Sequence, residues 1–250
     1  MPDIGFAAVF IALAFLLAGF IKGALGVGLP TVVMGLLSIV MPPAQAAMLM
    51  VLPALGTNIW QMAAGPSLVA LLKRFAWMIA AVFVGTFGTI GLMTKTTSIA
   101  TAALGAVLAV YGIYGLVAKR FEVRRETERW LSPLIGLITG MLTGATGVFV
   151  IPTVPYLTSL RMDREELVQS IGILAFVCPL ALGLALATSS QYKAEVAGTS
   201  FLALFPALAG MYFGQRLRRR LAAALFMRWF FIGLIALGGY MFFRSVASAG

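Results

Sequence analysis

An apolar run from Ile4 to Met41 is too long to cross a bilayer as a single helix. At about 1.5 Å per residue it would measure roughly 57 Å, nearly twice the hydrocarbon thickness of about 30 Å. The chain has to break inside it. Gly23-Ala24-Leu25-Gly26-Val27-Gly28-Leu29-Pro30 is the place, because three glycines and a proline undermine a continuous helix. A second over-long run, Leu131 to Leu160, breaks at the matching position, Gly144 to Pro152. Gly19, Gly23 and Gly26 recur as Gly140, Gly144 and Gly147 at a constant offset of 121, and Pro30-Thr31 recurs as Pro152-Thr153 after one inserted residue. Three further apolar segments follow each break, so the chain reads as a duplication of about 125 residues.

Composition says what solvent these segments meet. Of 250 residues, 61% are hydrophobic and 10% charged, whereas a soluble domain carries roughly 25% charged residues. Apolar runs separated by short polar breaks are helices that satisfy their backbone groups internally in lipid. One membrane domain is the natural count. The net charge of +10 sits in short clusters between apolar runs, which marks topology and contact with lipid headgroups, not nucleic acid. Met1-Pro2-Asp3 supplies no basic region ahead of the first apolar run, so that segment is expected to be retained. The single cysteine, Cys178, excludes an internal disulfide and any cysteine-cluster metal site.

Basic residues also decide how the halves are oriented. If each long run crosses once, the halves are parallel, and Arg216, Arg218, Arg219 and Arg220 face the opposite side from the Lys119 to Arg129 loop. If each long run is instead a hairpin, the second half is inverted. One side then collects thirteen cations: Lys73, Arg74, Lys119, Arg120, Arg124, Arg125, Arg129, Arg161, Arg164, Arg216, Arg218, Arg219 and Arg220. Only Lys95, Lys193 and Arg244 face the other side, three in all, so the positive-inside rule favours inversion, with both termini outside. The expected fold is an all-α polytopic membrane protein of two inverted repeats, each a glycine-broken first helix hairpin followed by three transmembrane helices. Repeat one spans 1–118, a cytoplasmic linker 119–130 and repeat two 131–250. The second hairpin arms, Pro30 to Met41 and Pro152 to Leu160, are short enough either to cross or to re-enter.

Inverted repeats with glycine-interrupted first helices point to a transporter with its site near the midplane. Broken helices expose free N–H groups, which serve an anion. The candidate backbone donors are Gly23, Gly26 and Gly28 in the first break and Gly144 and Gly147 in the second. Close helix packing by small residues is the plainer explanation of these glycines, and their duplication beside proline tilts the reading towards a site. Lys22 is the only basic residue well inside an apolar span. Burying an ammonium in a bilayer costs at least about 2.5 kcal/mol, so unless it snorkels it is a candidate ligand for an anion. Its counterpart is Thr143, which with Thr146 offers hydroxyl donors. Asn58 and Gln61, about one turn apart, and Gln169 with Ser170 can complete the donor set or simply bond between helices.

Absences narrow the function further. The eight acidic residues map to termini or loops, and there is no histidine. A proton-relay carboxylate, a metal site and a catalytic constellation are all unavailable, so no enzyme, metal or cofactor is expected. The expected partners are a small anionic substrate and membrane lipids, with no nucleic acid. A homo-oligomer stays open, because glycine-rich faces serve contacts within and between chains equally.

The run Gly19 to Pro30, its echo from Gly140 to Pro152, and the closing segment with Gly210, Gly214, the arginine cluster and Gly238-Gly239-Tyr240 together resemble the sulfite exporter TauE/SafE family of bacterial permeases. The resemblance covers essentially the whole chain. It implies a multi-pass protein of the bacterial inner membrane that moves sulfite, organosulfonates or related sulfur anions, commonly outward. Uptake or exchange of another small organic anion is the alternative. Phe149, Val150 and Lys22 stand where members more often carry glycine or small neutral residues.

Overall fold

The computed structural model describes residues 4–63, 65–95, 97–117, 122–189, 194–218 and 223–247. Helices alone occur among them, with no strand. In order they are α1 (Ile4–Leu25), α2 (Leu29–Leu37), α3 (Pro43–Ala63), α4 (Leu68–Arg74), α5 (Ala76–Lys95), α6 (Thr97–Val117), α7 (Arg125–Thr146), α8 (Val150–Ser159), α9 (Arg164–Thr188), α10 (Ala194–Leu217) and α11 (Ala223–Ala247). Seven of these, α1, α3, α5, α6, α9, α10 and α11, are long and apolar enough to cross a membrane. The first turn of α7 carries Glu126 and Glu128, and that helix falls outside the seven.

Both long apolar runs break where the glycines stand. Gly26 and Gly28 adopt positive φ of 85° and 110°, and Gly147 one of 74°, a region L side chains avoid. α2 and α8 contain 9 and 10 residues. Each is therefore roughly 15 Å long, about half the hydrocarbon thickness and too short to cross it as a helix alone. The residue inserted in the second break sits in an irregular stretch: Ile151 has extended backbone (φ −105°, ψ 134°) within α8 and precedes Pro152 through a cis peptide bond.

The helices pack by exchanging partners between halves. α1 lies along α10, and a Cβ on Gly19 or Gly23 would fall about 2 Å from the carbonyl oxygens of Ala207 or Met211. α7 lies along α5 in the same way, with Gly140 on Val82 and Gly144 on Thr86. Both pairs advance together along the chain, so each is parallel. α6 and α11 instead run antiparallel: Gly105 meets Gly238, and Gly112 meets Phe231. α3 and α9 also run antiparallel, with Gly172 on Gln61 and Gly183 on Val51. Lipid offers no hydrophobic drive between helices, so such backbone proximity supplies the dispersion contact that holds them.

α3 and α9 are the most enclosed of the seven spans, and α10 and α11 the most exposed, with Phe201, Leu202, Phe205, Phe213, Trp229 and Phe243 on their outer surfaces. Two prolines interrupt the central pair. Pro53 has no N–H for the Leu49 carbonyl, and Ser200 Oγ donates to it instead at 2.8 Å. Pro179 likewise frees the Ala175 carbonyl, which accepts from Asn58 Nδ2 at 2.8 Å.

Basic residues gather at one end. The segment between the halves is tied there by Arg74 to Glu128 (2.6 and 2.8 Å), Arg161 to Glu122 (2.6 Å) and Val123 N–H to Ser159 O (3.0 Å). The bidentate bond to Glu128 holds the Arg74 guanidinium above its ordinary pKa. At the opposite end Arg244 reaches the Ile39 carbonyl. Lys119, Arg120, Lys193, Arg219 and Arg220, which entered the charge count, lie outside the described residues. Glu126, Glu128, Glu165 and Glu166 occupy the first turns of α7 and α9 rather than loops, where they complement the positive helix ends. Asp163 caps α9 by accepting from Glu166 N at 2.8 Å.

Candidate functional site

α1 ends one turn after Lys22, whose carbonyl accepts from Gly26 N at 2.6 Å. The Lys22 side chain is only 5% exposed. It does not reach for a helix end: Nζ donates to Thr57 Oγ1 at 2.9 Å and to Asn58 Oδ1, both on α3. The orientation of these acceptors follows from their other bonds. Asn58 spends both amide protons on carbonyls, Ala54 O at 2.7 Å and the proline-freed Ala175 O at 2.8 Å, which leaves Oδ1 facing the ammonium. Thr57 donates to Pro53 O at 2.7 Å, so its oxygen is free to accept. A lysine has three donors. Two are placed, and among the described residues no carboxylate forms an ion pair with it.

Lys22 borders two spaces. A vestibule of about 740 Å³ opens at the basic end, within the usual range of small-molecule sites. Lys22, Gly23, Gly26, Val27 and Thr57 line its inner part, while Arg164, Glu165 and Arg218 stand at its mouth. The second space is a cavity of only about 20 Å³ between the breaks. It is lined by Lys22, Gly26, Gly28, Pro30 and Asn58 on one side and Phe149, Val150, Thr153 and Ala175 on the other. That volume holds about one water and no larger anion. A separate basin of about 670 Å³ beside the 122–128 segment mixes Arg74, Arg124 and Arg161 with Glu122, Glu126, Glu128 and Glu166. Its ion pairs fasten the segment and leave no clear excess of positive charge for an anion.

The residues singled out from the sequence divide. Lys22, Gly23, Gly26, Gly28, Asn58, Gln61 and Gln169 border the vestibule or the small cavity. Gln169 is nonetheless committed elsewhere: its amide donates to Met62 O and Gly65 O, and its oxygen accepts from Ser67 N, which fastens the end of α3. Gln61 donates to Val168 O at 3.3 Å. Ser170 is buried against Met162 Sδ at 3.6 Å, away from both spaces. Thr143 and Thr146 do not join Lys22. They donate to Thr139 O and Leu142 O one turn back on their own helix, both at 2.7 Å. Gly144 packs on Thr86 and Thr89, and Gly147 under Met34. Sequence reasoning missed Thr57, Thr153, Gln215, Arg164 and Arg218 as site residues. Thr57 was detectable beside Asn58 and one turn before Gln61, whereas the other four depend on how the halves dock.

Comparison with known proteins adds one positive finding. The family model described as sulfite exporter TauE/SafE matches residues 11–241. No curated protein and no solved structure matches the chain.

Proposed function

Because the chain belongs to the sulfite exporter TauE/SafE family, a family of membrane transporters, we propose that it exports small sulfur oxyanions or sulfonates across the bacterial inner membrane through a site between its two halves. The observation that carries this reading is Lys22. It is a buried ammonium without an ion-pair partner among the described residues, fixed by two neutral acceptors at the inner end of a vestibule. An isolated buried charge is expensive, and a bound anion supplies the missing counter-charge. Arg164 and Arg218 at the mouth raise the local concentration of anions. The basic end is read as cytoplasmic by the positive-inside rule, so the vestibule is the loading side for export. Export of an anion is driven by the inside-negative potential, about 2.3 kcal/mol per charge per 100 mV, and needs no buried carboxylate.

Residues 1–118 and 131–250 are taken as inverted repeats joined by 119–130. The parallel pairs α1 with α10 and α5 with α7, together with the antiparallel pairs α6 with α11 and α3 with α9, support that reading. The test is efflux from proteoliposomes loaded with sulfite or a small sulfonate under an imposed inside-negative potential, for wild type and Lys22→Gln. Saturable efflux that falls at least about tenfold in the variant is expected, as an ammonium contact to the anion is lost. Wild type that moves none of these anions refutes the substrate class. Efflux that survives Lys22→Gln refutes the site.

A further inference from the structure

The constant offsets allow each contact at one end to be compared with its counterpart at the other. Gly147 is the counterpart of Gly26, and Met34 that of Tyr156, by their distances from the repeated glycines and prolines. A Cβ on Gly147 would meet Met34 Sδ and Cε at 2.9 and 3.0 Å, so the thioether lies directly on this glycine. At the basic end the equivalent contact is missing. Gly26 has nothing within 4 Å of where its Cβ would be, and it borders the vestibule. Tyr156 is held elsewhere, its hydroxyl 2.6 Å from Ser132 Oγ. At this position the two ends therefore differ: a side chain covers the break glycine on one side and is drawn aside on the other.

The surroundings of Met34 repeat the lining of the vestibule in neutral form. Thr143, Gly144 and Thr146 stand where Lys22, Gly23 and Leu25 stand, and Thr86 stands where Met211 stands. All four are buried here, whereas of their counterparts Lys22 and Gly23 are buried but Leu25 and Met211 are partly exposed where they line the vestibule. Thr31 lies one turn before Met34 on the same face of α2 and is fully buried, and its hydroxyl is one of two buried side-chain polar atoms without a hydrogen-bond partner among the described residues. Its counterpart Thr153 does have one, Thr139 Oγ1 at 2.8 Å. An orphaned hydroxyl beside a flexible plug is a donor waiting for an acceptor.

We propose that Met34 plugs an outer half-path for the transported anion, running over Gly147 and offering the unpartnered hydroxyl of Thr31. This rests on the transport reading above and extends it to the exit side. When the thioether swings off Gly147, the outer side gains the opening that Gly26 now borders. The oxyanion then passes from an ammonium to the neutral hydroxyl donor of Thr31, which holds it less tightly and favours release outward.

The single cysteine reports on this movement. Cys178 is fully buried on α9, and its side chain lies beside that of Thr143. A membrane-impermeant anionic methanethiosulfonate applied to the outer face of right-side-out vesicles should label it slowly in wild type. Met34→Ala removes the whole plug and Met34→Val removes its sulfur and terminal methyl. Each should raise the outside labelling rate by about tenfold or more by shifting population towards the outward-open state, while Met34→Leu stays near wild type. Met34→Val is the milder cavity, so one folded variant remains if Met34→Ala does not assemble. Unchanged outside labelling in whichever of these two variants elutes as a folded species overturns the plug. If labelling rises but neither sulfite nor a sulfonate is transported by wild type, the plug stands and the substrate reading fails.

Discussion

Asn58 connects the backbone of α9 to the Lys22 ammonium, and replacing it with leucine tests both connections. The change keeps the approximate volume but removes two interhelical bonds, the amide donor to Ala175 O and the acceptor for Lys22 Nζ, along with the bond to Ala54 O on its own helix. Hydrogen bonds between membrane helices average about 0.6 kcal/mol and reach about 1.7. Bonds to a charged group are worth roughly 1.5–3 kcal/mol. The two losses together put the expected destabilisation at about 3 kcal/mol. The two contributions are separable, because the carbonyl is orphaned only on account of Pro179. In a Pro179→Ala background residue 179 regains an N–H, the Ala175 carbonyl is satisfied within its own helix, and Asn58→Leu loses only the lysine contact between helices. A double-mutant cycle measured by denaturant unfolding in bicelles should therefore give a coupling of about 1 kcal/mol between positions 58 and 179, with the asparagine change less costly without the proline. Additivity within about 0.3–0.5 kcal/mol would mean that the proline-freed carbonyl does not orient Asn58, and the account of how Lys22 is positioned would fall with it.

Gly140→Ala places a Cβ 2.2 Å from the Val82 carbonyl oxygen and should separate α7 from α5, lowering the unfolding midpoint clearly, whereas Gly88→Ala, with nothing within 4 Å, should be neutral or slightly stabilising in the same assay. Replacing Arg164 and Arg218 by glutamine should raise the KM for the anion several-fold while leaving kcat within about a factor of two, and that difference should shrink between low salt and about 0.5 M salt as screening removes the attraction. A kcat effect larger than the KM effect would place these arginines in the translocation step instead of the mouth.

Where the helices break was legible because the signal is local: glycine runs followed by proline, written twice at one offset. Lys22 and Asn58 were legible as candidates because a charged or amide side chain in an apolar span has few ordinary explanations. What joined them was not. The orientation of Asn58 depends on a carbonyl released by Pro179 on another helix, and nothing in the residues near position 58 announces that partner. Thr143 and Thr146 were paired with Lys22 on symmetry alone, whereas their hydroxyls turn back to the carbonyls one turn earlier, the usual alternative for threonine in a helix. Gln169 looked equally free and is consumed in tying off α3. The length of the second arms settled only once helix ends could be seen, since an apolar run does not say where its helix begins.

The exchanged partnerships also constrain how the protein is made. α1 packs lengthwise on α10, and the groove around Gly19 accepts Ala207, which lies roughly 190 residues later in the chain. At a synthesis rate of about 5–20 residues per second, α1 waits about 10–40 s in the membrane before its partner emerges. During that interval its small-residue groove faces lipid or a chaperone, and α5 waits in the same way for α7. A ribosome stalled after the first half would leave both helices inserted and neither packed. Assembly must therefore follow insertion of α10 instead of proceeding helix by helix, and this makes the last third of the coding sequence the segment on which quality control of the whole chain depends.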